Sequence, residues 1–259
     1  MTNVEAIVLG FVQGVTEFLP ISSDGHLVIV QALMGVATSG IVFEVALHLA
    51  TLVSILVAFR TRVWSVGRGA LQGDPGALRY VGLLVVATIP AGLVGVLAND
   101  FLEGLFETPA AAGIGLLITG TYLWTSRAAL PRATGSVPGW QAALLIGVAQ
   151  ALAIAPGVSR SGMTIVTALW LGVEAREAAA FSFLMAIPAI AGAAVLELPG
   201  AGASGLEWQV IALGSVVAGV TGILAIRTLV ALLARRAFHL FAPYCWVAGI
   251  AFLAYLGLR

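Results

Sequence analysis

The sequence has no lysine, a single cysteine and very little charge: 9% of its 259 residues are charged, while 60% are hydrophobic. A soluble domain is about 45–50% apolar and about 25% charged, and a globule of this size cannot hide such an excess of apolar surface. A water-soluble protein is therefore excluded, and so is a disordered one. The 12 arginines match 12 acids, so no overall basic field exists to hold nucleic acid. Cys245 alone supports neither a disulfide framework nor a thiolate metal site. Glu5 and Glu17 interrupt the first apolar stretch and no basic segment precedes it, so insertion is expected to rest on the chain's own helices rather than on a cleaved leader. The expectation is a single all-α integral membrane domain over residues 1–259.

What is present is apolar helix. A bilayer core of roughly 30 Å takes about 20 apolar residues. Six stretches reach that length: Ile41–Phe59, Tyr80–Ala98, Pro109–Ser126, Ala178–Glu197, Trp208–Ile226 and Ala242–Leu258. Two further regions, 4–37 and 140–173, read differently. Each is an apolar half-helix, a Pro/Gly/Ser-rich break and a second short half-helix, the pattern of a re-entrant hairpin. Arginines cluster at Arg60–Arg79, at Arg127 and Arg132, and at Arg227–Arg236, whereas the loops between them carry acids. With the arginine loops in the cytoplasm, all six spans alternate correctly if both hairpins return to the side they entered. The first hairpin then dips in from outside and the second from inside, with both ends of the chain outside.

The two broken regions also resemble each other. A shift of 137 positions pairs Gly10 with Gly147, Gln13 with Gln150, Ser22 with Ser159 and Gly25 with Gly162. With their opposite orientations this predicts an inverted-topology repeat, 1–126 against 140–259, whose broken helices meet near the midplane at a substrate site.

The first break runs Gln13-Gly-Val-Thr-Glu17-Phe-Leu-Pro20-Ile-Ser22-Ser23-Asp24-Gly25-His26. Gln13 and Glu17 share a helix face, and an ionisable group within a membrane points to function. Either Ser22 or Ser23 is expected to cap the second half-helix. The second break, Pro156-Gly-Val-Ser159-Arg160-Ser161-Gly162-Met-Thr164, offers only donors and positive charge, the equipment of a phosphate site at a helix N-terminus. Here Gly157 and Gly162 would let the backbone approach a ligand. A carboxylate facing a phosphate calls for a cation between them, and Mg²⁺ takes oxygen ligands of this kind; Ca²⁺ is a second candidate. Together the breaks suggest phosphoryl transfer on a phosphorylated lipid.

QGVTEFLPISSDGH with PGVSRSGMT resembles the undecaprenyl-diphosphate phosphatase family, known for bacitracin resistance, and FEVALHLATL and FSFLMAIPAIAGA resemble its flanking helices. The resemblance implies six spanning helices with two re-entrant hairpins in an inverted repeat. It also implies removal of the terminal phosphate of undecaprenyl diphosphate at the outer face of the prokaryotic cytoplasmic membrane, recycling the carrier lipid for cell-wall synthesis. The family's acidic pair falls on Gln13 and Glu17, where many members have Glu at the first position; these two are the expected metal ligands. Its Ser-Ser-x-Gly-His falls on Ser22, Ser23, Gly25 and His26, and its Ser-Arg-Ser on Ser159, Arg160 and Ser161. The catalytic set is then Glu17, Ser23, His26 and Arg160, with Gln13, Ser22, Ser159, Ser161, Gly162 and Thr164 holding substrate. Ser23, His26 or a water activated by Glu17 remain open as nucleophile. Asp24, in a turn commonly Thr or Ser, is expected to cap the second half-helix rather than bind metal. Glu44 and His48 share a helix face toward the same cavity. Transport of polyprenyl phosphate is the competing function. An acid-phosphatase-like lipid phosphatase is excluded, since the chain lacks Lys and has no His between Arg160 and His239. Gly113–Gly120 and Gly214–Gly222 suit close helix packing, either within the monomer or across a homodimer.

Overall fold

A computed structural model describes residues 1–35, 41–197 and 207–258. The last two residues expected in the first broken region, Val36 and Ala37, lie outside the described residues. Every regular element is helical: α1 (Asn3–Phe18), α2 (Ser23–Met34), α3 (Ile41–Ala58), α4 (Arg60–Leu71), α5 (Pro75–Leu97), α6 (Asn99–Phe106), α7 (Pro109–Ala129), α8 (Trp140–Leu152), α9 (Arg160–Trp170), α10 (Ala175–Glu197), α11 (Trp208–Ala234) and α12 (Phe241–Gly257). Among the described residues five helices (α3, α5, α10, α11 and α12) are long and apolar enough to cross a membrane, and a sixth span follows if the pair α6 and α7, bent by 96°, counts as one. The polar second half of α7, with Thr119, Thr121, Tyr122, Thr125 and Ser126, lowers its hydropathy. Thr119 is spent on the second break: its hydroxyl donates to the Gly157 carbonyl at 2.9 Å and accepts from the Ser159 N–H at 2.9 Å.

The four half-helices α1, α2, α8 and α9 have 16, 12, 13 and 11 residues, short of a full span. Pro20 follows α1, and Ser22 then takes φ 69°, a left-handed value for a non-glycine residue, while its side chain caps α2 by accepting from Gly25 N–H at 3.3 Å. The cap is therefore Ser22, one of the two serines expected. Asp24 sits inside the first turn of α2 instead, so its expected capping role is corrected. At the second break Gly157 takes φ 82°, and a Cβ there would lie 2.0 Å from the Ala112 carbonyl of α7. This glycine is needed for close packing on α7. The two breaks touch, since a Cβ on Gly25 would meet the Gly157 Cα at 2.9 Å.

Equivalent half-helices pack in equivalent ways. α1 lies along α11, with Gly10 against the Gly214 carbonyl, and α8 lies along α5, with Gly147 against the Ala87 carbonyl. The glycine stretches are used inside the chain: Gly113 and Gly120 close on Leu253 and Trp246 of α12, and Gly214 and Gly222 on Phe43, Ser54 and Phe18. Two segments expected as loops are helical. The arginine loop carries α4, none of whose residues is buried, and the acidic loop carries α6. A short amphipathic helix with Trp64 exposed suits the membrane interface, so neither needed a core to form. Arg62 of α4 is held by Glu177 of α10 at 2.8 Å and lies 4.6 Å from the centre of the Tyr80 ring.

Candidate active site

The two breaks place their polar side chains in one cluster. Glu17, 7% exposed on the last turn of α1, is its hub. One carboxylate oxygen accepts from the Arg160 guanidinium at the start of α9. The other accepts from Ser23 Oγ at 2.5 Å and from Gln13 Nε2 at 3.1 Å. The i, i+4 spacing of Gln13 and Glu17 makes the last contact automatic once α1 forms. Ser161 Oγ adds a second tie, reaching the Leu19 carbonyl at 3.4 Å. The sequence assigned Arg160 to an incoming anion; in the structure Glu17 is that anion. The buried Glu17 carboxylate needs the half-buried Arg160 guanidinium, because alone it would be an uncompensated charge.

The remaining residues serve the breaks themselves. Ser159 caps α9 by accepting from Gly162 N–H at 3.1 Å, and its Oγ lies 3.2 Å from Ser161 Oγ. The Gly162 N–H is thereby engaged by the cap. Thr164 donates to the Arg160 carbonyl at 2.7 Å and pairs with Ser182 of α10, which ties α9 to α10. His26 makes no hydrogen bond or ion pair with Ser23 or Glu17 among the described residues. Its Nδ1 lies 2.8 Å from the Ser22 carbonyl, which can only accept, so that nitrogen carries the proton. Nε2 then accepts from the Tyr244 hydroxyl of α12 at 2.6 Å, and the two rings stack with centroids 5.6 Å apart.

Three groups gain a place that sequence alone could not assign. His48 of α3 sets Nε2 at 3.8 Å from Asp24 and 4.0 Å from Glu17, with Nδ1 2.9 Å from the Glu44 carbonyl. Glu44 itself accepts from Gln31 of α2 at 3.2 Å. Tyr244 was missed entirely; its only signal is a hydroxyl within an apolar span, 218 residues from His26.

Among the described residues no group of three or more His, Cys, Asp or Glu is placed to hold a metal ion. Mg²⁺ is commonly held by only one or two carboxylates together with substrate phosphates. The donor set fits that mode: Gln13 Oε1 is buried with no hydrogen-bond partner beside the Glu17 carboxylate.

The chain matches the family model described as bacitracin resistance protein BacA over residues 6–251. The chain belongs to the BacA family. Its curated relatives include the undecaprenyl-diphosphatase of Syntrophotalea carbinolica, 41% identical over 98% of this chain and 99% of the relative. That of Desulfosudis oleivorans is 40% identical over 100% of both chains, and that of Desulforapulum autotrophicum 38% identical over 95% of both. This BacA-family member is thus similar along its whole length to bacterial enzymes named for one activity, and its helices make it a multi-pass membrane protein.

Proposed function

We propose that the chain is an undecaprenyl-diphosphatase of the prokaryotic cytoplasmic membrane. It cleaves the terminal phosphate from undecaprenyl diphosphate at the outer face, so that the carrier lipid returns to cell-wall synthesis. The observation that carries this reading is the Glu17 hub, where an acid bonded to Ser23 at 2.5 Å meets an arginine from the opposite break. The packing of α1 on α11 and of α8 on α5 supports the inverted repeat 1–126 and 140–259 in which the two breaks face each other.

In the proposed reaction the terminal phosphate displaces Glu17 from Arg160, so the guanidinium neutralises the phosphoryl oxygens as charge moves onto them. Glu17, released from its ion pair but still bonded to Ser23, takes the hydroxyl proton as the oxygen attacks phosphorus. The anhydride P–O bond breaks, and undecaprenyl phosphate departs with the bonding electrons. Water then attacks the phosphoserine and the bond between Ser23 Oγ and phosphorus breaks; Glu17 returns its proton to the departing Ser23 oxygen, and inorganic phosphate leaves with both protons of the water. Ser22, Ser159 and Ser161 hold the two breaks in register, while His26, fixed by Ser22 and Tyr244, forms a wall of the site. Gln13 and Glu17 would hold Mg²⁺, which supplies charge neutralisation for the diphosphate.

The test is phosphate release from undecaprenyl diphosphate by purified protein in detergent, with Mg²⁺ or with EDTA. Release by the wild type and its loss in Ser23→Ala, with trapped phosphoserine absent from that variant, is the expected result. No release from wild type would favour the competing function, transport of polyprenyl phosphate.

A further inference from the structure

At the end of the bundle away from Glu17, a groove of about 370 Å³ opens between α3, α10 and α11. From His48, which faces the Glu17 cluster, to Ala58 on its rim is ten residues of α3, about 15 Å. Its rim carries Arg60 from the start of α4, Arg176 from the first turn of α10 and Arg227 from α11. Its floor is apolar, with Ile226, Val230 and Ala231. Among the described residues none of the three arginines has an ion-pair or hydrogen-bond partner. The acids nearby are engaged elsewhere: Glu177 holds Arg62 at 2.8 Å, and Glu174 accepts from the Glu177 N–H at 3.3 Å.

We propose that this groove binds the phosphate head group of an anionic membrane phospholipid, with its acyl chain along the α11 floor. Three exposed cations from three helices line one groove with no protein ion pair, a concentration of like charge that suits an anion. The groove lies between helices long and apolar enough to span a membrane, and its floor is apolar, so the anion carries a hydrocarbon chain. A free phosphate would satisfy the arginines but leave that floor wet. An arginine fork also suits a phosphate better than a point charge does. The site is separate from the diphosphatase chemistry and does not depend on it.

Native mass spectrometry of the full chain, titrated with phosphatidylglycerol or phosphatidylcholine, tests the proposal. Phosphatidylglycerol should bind and phosphatidylcholine should not. The R60A/R176A/R227A variant should lose affinity by roughly fivefold for each arginine removed, on the order of a hundredfold in all. A control variant, R68A/R79A/R132A, removes three exposed arginines outside the groove and should bind as the wild type does. Should the triple variant fail to fold, Arg60→Gln, Arg176→Gln and Arg227→Gln taken singly should each read about fivefold. Equal binding by wild type and groove variants overturns the proposal, as does equal loss in the control, which would mean diffuse charge. Competition by inorganic phosphate as effective as by the lipid would make this an ion site, and tighter binding of polyprenyl monophosphate would make it a product site; either result also overturns the phospholipid assignment.

Discussion

Glu17 meets Arg160, Ser23 and Gln13 at once, so a substitution there has two separable consequences. Glu17→Gln keeps the shape but removes both the base and the counter-charge of Arg160. Phosphate release should fall by about 10²–10⁴-fold, the range of a lost general base, and the melting temperature should drop because a half-buried guanidinium is left unpaired. Arg160→Lys should not restore turnover, since an ammonium lacks the planar fork that meets a carboxylate or a phosphate. Near-wild-type turnover by Arg160→Lys, measured as released phosphate, would contradict its proposed role on the substrate. Tyr244→Phe keeps the ring stacked on His26 and deletes only the hydroxyl that holds Nε2. Its kcat should fall less than tenfold if His26 merely lines the site, an order-of-magnitude bound set by the loss of one neutral hydrogen bond of about 1 kcal/mol. A loss approaching that of Glu17→Gln would instead make His26 a participant in proton transfer.

At the scale of elements, the breaks are held by backbone proximity as much as by polar side chains. Gly157 combines φ 82° with a carbonyl 2.0 Å from where a Cβ would sit, so both conformation and space forbid a side chain. Gly157→Ala should destabilise the folded protein by about 2–5 kcal/mol, from the left-handed strain together with the forced displacement of α7. Gly139→Ala, where nothing lies within 4 Å, is the matched control, and thermal melting in detergent distinguishes the two. The breaks were legible in sequence because Pro20, the serines and the glycines are local signals. That Gly157 serves α7 was not, because the contact joins residues 112 and 157 and leaves no periodic trace. The helices α4 and α6 were passed over for a related reason: each is shorter than a span and borrows its stability from the membrane interface.

For the whole molecule, the proposed orientation can be tested with a single-cysteine background, since the one native thiol, Cys245, is fully buried. Arg68→Cys on α4 and Asp100→Cys on α6 both occupy exposed positions. An impermeant maleimide applied to intact cells should label Asp100→Cys at once and Arg68→Cys only after permeabilisation. The reverse pattern would invert the bundle and move the site to the cytoplasmic face. Composition alone settled the solvent this chain folds in: 60% hydrophobic residues with 9% charged leave no route to a soluble surface. Hydrophobic run lengths defined the spans, and the motifs pointed to the polar residues of the two breaks, because run length, capping and charge scarcity are properties of short segments. Tertiary structure decided which of those residues meet. Arg160 pairs with Glu17 143 residues away, His48 turns toward Asp24, and His26 is held by Tyr244 of a distant helix as well as by the Ser22 carbonyl. Such pairings depend on how the long helices pack around the two broken hairpins, and a charge enclosed by that packing takes whichever opposite charge the fold brings within reach.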